Sequence, residues 1–159
     1  MAYKKKKWRE KLNNNHTSEG NLPRVEKIEL KQQKLWGKGT IVIPAPLEVD
    51  EIMKQVPKGK LITINEIREI LAERHNATIC CPITTGIFAN IAAHVAAEDE
   101  NEGKTKFTPY WRTLKKSGEI NDKYPGGTEK QTELLESEGF EVKIKGKKAK
   151  VVNFEKYLI

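Results

Sequence analysis

Between residues 63 and 95 the chain carries two apolar stripes of helical period separated by only a few residues, and this pair constrains the fold more than any other segment. The first begins at Thr63-Ile64-Asn65-Glu66, the pattern of a capping box, in which the threonine hydroxyl accepts one orphan amide and the glutamate reaches back for another. Ile64, Ile67, Ile70 and Leu71 continue it along one helical face to His75-Asn76. The second opens at Pro82, a residue tolerated at the first helical position, and repeats Ile83, Ile87, Ile91 and Val95 with Phe88 and Ala92 alongside. Two helices joined by a short turn predict a helix-turn-helix.

The flanking segments add shorter elements. Gly39-Thr40-Ile41-Val42-Ile43, closed by Pro44 and Pro46, predicts a short strand, and Leu47 to Gln55 predicts a helix ended by Pro57-Lys58-Gly59-Lys60. Phe107 to Leu114 reads as extended chain. Thr128-Glu129-Lys130-Gln131 reads as another capping box, opening a helix that Gly139 terminates. Phe140, Val142 and Ile144 then alternate, turn through Lys145-Gly146-Lys147-Lys148 and return through Val151-Val152, which predicts a lysine-tipped hairpin. The expected class is mainly α with a small β hairpin, a winged helix-turn-helix. Residues 1–18 are expected to form a disordered basic arm, 19–46 an irregular extension with a short strand, and 47–159 the winged-helix domain with its C-terminal hairpin.

Charge points to the partner. The net charge is +7, and residues 1–48 hold eleven Lys/Arg against five Asp/Glu, whereas 49–105 hold six against nine and 106–159 twelve against eight. Basic ends around a mildly acidic middle suit a polyanion, since each lysine that meets a phosphate releases condensed counterions. No apolar run approaches the ~20 residues that span a bilayer, so no membrane partner and a cytoplasmic location are expected. Adjacent Cys80 and Cys81 bridge only with strained geometry and are expected as reduced thiols. With His75 and His94 they match no zinc spacing, so neither metal nor cofactor is expected.

Several strings, in order, resemble the DNA-binding domain of the O-alkylguanine-DNA alkyltransferases and their alkyltransferase-like relatives. They are Val56-Pro57-Lys58-Gly59-Lys60-Leu61-Ile62-Thr63 leading into Glu66-Ile67, then Pro109-Tyr110-Trp111-Arg112, then Gly126-Gly127 with Leu134-Leu135-Glu136-Ser137-Glu138-Gly139. Those enzymes transfer an alkyl group from a flipped guanine to the cysteine of a Pro-Cys-His-Arg string. Here Tyr110 stands at the cysteine and Trp111 at the histidine, so nucleophile and activator are both replaced. The resemblance is therefore closest to the alkyltransferase-like proteins, which lack that cysteine. The family's tyrosine in the capping-box segment aligns with Ile64, and its intercalating arginine falls within Cys81 to Thr85, where no arginine occurs.

The resemblance implies a non-catalytic protein that binds double-stranded DNA, expected as a monomer. Thr84, Thr85 and Gly86 would face the groove, and Lys145, Lys147 and Lys148 would meet phosphate. Arg112 would meet phosphate or pair with a carboxylate. Pro109, Tyr110 and Trp111 would border a base pocket, with Tyr110 and Trp111 on opposite faces of a strand. Two alternatives stay open: an alkyltransferase using Cys80 or Cys81, and a nucleic-acid or partner-binding module with no repair role.

Overall fold

The structure, a computed structural model, describes residues 7–159. In chain order it contains α1 (Trp8–Asn13), β1 (His16–Thr17), β2 (Gly20–Asn21), β3 (Arg24–Lys27), α2 (Gln33–Trp36), β4 (Thr40–Ile43) and α3 (Pro46–Lys54). β5 (Ile62–Thr63), α4 (Ile64–Arg74), β6 (Ile79–Cys80), α5 (Pro82–Asn101), β7 (Thr113–Leu114), α6 (Gly127–Ser137), β8 (Val142–Lys145) and β9 (Lys148–Val151) follow. The architecture is mixed α and β, not mainly α. The additional strands are mostly two to four residues long, and a two-residue strand has no alternation for a sequence to display.

The helix pair forms where the local signals are strongest. Thr63 Oγ1 accepts from the Glu66 amide at 3.2 Å and Glu66 Oε1 accepts from the Thr63 amide at 3.0 Å, closing the capping box of α4. Pro82 occupies the first turn of α5, and Pro46 does the same for α3. Between α4 and α5 the chain inserts β6, which pairs in parallel with β4 through Ile41 opposite Ile79, while β3 pairs antiparallel on the other edge. The Thr40 amide donates to Thr78 Oγ1 and the Thr78 amide to Thr40 Oγ1, at 3.0 and 3.1 Å, which fixes the register.

Two buried clusters result. The larger packs α3, α4 and α5 around Met53, Ile67, Leu71, Ala92 and Tyr110; the smaller packs α6 and the β8–β9 hairpin around Leu114, Leu135, Phe140 and Val151. Trp111 packs against both. No helix among the described residues is long and apolar enough to cross a membrane.

Three local expectations change. Residues 1–6 of the expected basic arm lie outside the described residues, but from Trp8 the chain is helical and Leu12 is buried in the larger cluster. Segment 107–114 is not one strand, because Tyr110–Arg112 makes a 3₁₀ turn in which the Arg112 amide donates to the Pro109 carbonyl, leaving only β7 extended. α6 starts without the Thr128 cap: Gly126 sits in the left-handed region at φ 79° and sets the helix entry two residues early, so Thr128 is already inside.

Gly118 has no room for a side chain. Its φ is 82°, and a Cβ there would lie 2.3 Å from the ring of Phe154 in the smaller cluster. Left-handed strain and overpacking together predict that Gly118→Ala destabilises by about 2–4 kcal/mol. The urea midpoint measures this, and an unchanged midpoint would mean the ring yields freely.

Candidate nucleic-acid interface

The exposed stripe of α5 differs from the one its sequence suggests. Buried positions are Thr85, Ala89, Ala92, Ala93 and Ala96, together with Ile91 and Val95, so the first half of the helix buries small residues. Ile83 and Ile87 are consequently turned outward, 62% and 50% exposed. Thr85, expected at the groove, is fully buried: its hydroxyl donates to the Cys81 carbonyl at 2.6 Å, which satisfies it inside the core. Thr84 is half-buried, and Gly86 has no atom within 4 Å of the position a Cβ would take. The outward face is thus Ile83, Gly86 and Ile87, apolar and low in relief near the helix start.

The cysteines point inward. Cys80 and Cys81 are both buried, and Cys80 Sγ lies 3.3 Å from Thr85 Oγ1. Burial pushes the Cys80 thiol up, more strongly than the Thr85 hydrogen bond and the Arg68 charge pull it down. A neutral, enclosed thiol is a poor nucleophile. Thiol titration with an aromatic disulfide is expected to be slow in the native protein and to label both cysteines promptly in denaturant. Fast native labelling would reopen the acceptor role.

Around Pro109 the structure brings the expected pocket residues together, with Tyr110 turned into the core and Pro109 and Trp111 at a cleft. Tyr110 is buried, packed edge-on between Trp111 and Tyr124 at ring separations of 5.4 and 5.7 Å. Burial, reinforced by the Glu100 charge, pushes its phenol up to about 12. Pro109, Trp111 and Arg112 instead line a cleft of about 600 Å³ with Lys54, Lys106 and Phe107. Arg112 is occupied internally: Nε donates to both Glu138 oxygens at 3.0 and 3.1 Å, and Nη1 donates to the Val56 carbonyl at 2.7 Å. Of the two alternatives for this arginine, the structure shows the carboxylate partner. Glu138 also accepts from Trp111 Nε1 and, at 3.2 Å, from the Gly59 amide. Burial alone would raise its carboxyl, but these donors outweigh that and hold it below the ordinary carboxylate value.

The hairpin lysines are exposed. Lys145 is registered opposite Lys148, and Lys143 opposite Lys150, with Gly146 and Lys147 making the turn. Like charges directly opposite repel, so an anion at this tip relieves a cost the hairpin carries alone. Lys148 has Glu119 at 3.9 Å as partial compensation.

A second cleft, of about 620 Å³, runs beside the outward face of α5 between α1 and the 115–123 loop. Its lining includes Trp8, Lys11, Asn90, Lys115 and Lys123, none of them anticipated from the sequence. Trp8 and Leu12, four residues apart, were the available signal, since that spacing places both on one helical face.

A helix pair with an intervening parallel strand, a 3₁₀ turn at Tyr110–Arg112 and a terminal hairpin define a chain that resembles the alkyltransferase-like proteins. The alkyltransferase-like protein Atl1 of S. pombe, crystallised with damaged DNA containing O6-carboxymethylguanine, aligns at a TM-score of 0.51 and 21% identity, over 72% of this chain and 93% of that one. A further crystal structure of S. pombe ATL in complex with DNA aligns at 0.51 and 20% identity over the same shares. Neither a protein-family model nor a curated protein matches the sequence. At these identities the likeness is one of fold.

Proposed function

We propose that the protein is a non-catalytic, alkyltransferase-like binder of duplex DNA, built on a winged helix-turn-helix, that recognises alkylated guanine. The carrying observation is the outward face of α5, where Ile83, Gly86 and Ile87 form a low surface beside lysines. Such a face suits a groove: glycine permits close approach of a nucleic-acid backbone, and exposed isoleucines pack against sugars or wedge between base steps. Lys145, Lys147 and Lys148 add phosphate contacts from the hairpin, while Thr85 and Arg112 are withdrawn from the interface by their internal bonds. The similar fold of S. pombe Atl1, crystallised with damaged DNA, supports the same assignment.

Tyr110 at the acceptor position and the enclosure of both cysteines support the non-catalytic reading. Titration of plain and O6-alkylguanine duplexes at two salt concentrations tests the binding. Affinity that falls steeply with salt, and is higher for the alkylated duplex, is expected. Equal affinity for the two duplexes would remove damage recognition and leave DNA binding; no salt-dependent affinity would remove both. Intact mass after incubation with alkylated DNA tests the chemistry, and an added alkyl group on the protein would overturn the non-catalytic assignment.

A further inference from the structure

The geometry points to α1 as a built wall of the interface: we infer that the cleft between α1, α5 and the 115–123 loop holds a strand of phosphodiester backbone, an inference that rests on the function proposed above. α1 is fixed against α5 by three contacts of different kinds. Leu12 is buried in the larger cluster, Trp8 stacks on His94 at 4.2 Å and 10°, and Arg9 is paired with Asp99. His94 Nε2 in turn lies 3.3 Å from the Lys123 carbonyl, which links the two walls through α5.

The charges divide accordingly. Arg9 is paired with Asp99, and Lys104 with Asp99 and Glu102. Lys11, Lys115 and Lys123 form no ion pair among the described residues, and they stand on both rims of the cleft. Lys11 lies over the Trp8 ring, its Nζ 4.5 Å from the centroid, which orients the ammonium without neutralising it. The floor between the rims is Ile83, Gly86 and Ile87. Asn90 also lines the cleft, and its side-chain amide N–H₂ is a donor of the kind that a phosphate oxygen accepts from.

A backbone strand matches this pattern. Its sugars cross an apolar floor while its phosphates meet cations on either side. The cleft is continuous with the groove-facing surface of α5, so one strand of a duplex seated there runs into it. α1 thereby converts a single-helix contact into a channel with two basic sides.

The test uses the full chain with Lys11→Gln, Lys123→Gln, the double variant and Trp8→Ala, titrated against a plain duplex across a salt series. Each phosphate contact adds about 0.9 to the log–log salt slope, so each single glutamine variant is expected to lower the slope by about 1 and the pair by about 2. Lys60→Gln, in the 57–60 turn, is the charge control and is expected to leave the slope unchanged. Trp8→Ala, which frees the wall, is expected to weaken binding. A double variant with the wild-type slope would overturn the channel while leaving duplex binding by α5 intact. Tighter binding by Trp8→Ala would overturn it too, by making α1 a lid. Loss of salt-dependent binding in the wild type would instead fail the proposed function and this inference together.

Discussion

Glu138→Ala is expected to destabilise the protein by about 3–5 kcal/mol, because it leaves Arg112 as an unpaired buried cation. The two side chains are 6% and 13% exposed, so water compensates little. The carboxylate also receives Trp111 Nε1 and the Gly59 amide, so its removal orphans three donors at once. These donors come from the 3₁₀ turn and the 57–60 turn, while Glu138 ends α6, and the loss therefore loosens three segments together. Denaturant unfolding measures the effect; a loss below about 1 kcal/mol, typical of an exposed pair, would show that the site is wetter than its burial indicates. Arg112→Met combined with Glu138→Leu removes both charges and is expected to recover the part of the loss due to the unpaired cation, while Trp111 Nε1 and the Gly59 amide stay without their acceptor.

The same site sets a pH dependence. Glu138 is held below its unfolded value of about 4.3, so its contribution is fully present above that pH and is lost as pH falls through the depressed folded value. Acid unfolding of the wild type is expected to begin below about pH 4. Glu138→Gln is expected to show a shallower pH dependence there, as measured by stability at several pH values. An identical pH profile would mean that other carboxylates carry the transition.

Gly86→Glu is expected to reduce duplex affinity about 100-fold, since a carboxylate facing phosphate costs on the order of 3 kcal/mol. Nothing within 4 Å opposes the new side chain, and glutamate is a far better helix former than glycine. Stability is therefore expected to rise by roughly 0.5–1 kcal/mol while binding collapses. Unfolding of the variant cannot imitate that combination. Fluorescence anisotropy with a labelled duplex, paired with a thermal melt, measures both. Wild-type affinity in this variant would place the DNA on some other surface.

What the sequence disclosed was local in origin. The α4 capping box, the proline start of α5 and the hairpin each depend on residues within a few positions of one another, and each is present. α1 is hidden because it directly follows the lysine run at 4–7 and reads with it as a solvated arm, whereas its order comes from α5, with Arg9 reaching Asp99 across 90 residues of sequence. The α5 face departs from its sequence pattern for a related reason. Ile83 and Ile87 repeat with Ile91 and Val95, but the crowded packing beside Cys81 admits Thr85 and Ala89 while the two isoleucines face outward. Arg112 and Glu138, twenty-six residues apart, form their pair only when the 3₁₀ turn meets the end of α6. The hairpin lysines were legible by position, although their opposed register emerges only from the paired strands.

Trp111 touches both buried clusters, and that shared indole bears on how the molecule comes apart. With its ring packed against both and its nitrogen held by Glu138, the α3–α5 half and the α6–hairpin half are expected to melt in a single cooperative transition. A smaller residue there is expected to uncouple them, a thermal melt then showing α6 and the hairpin opening as a separate, less stable unit while the helix pair stays folded.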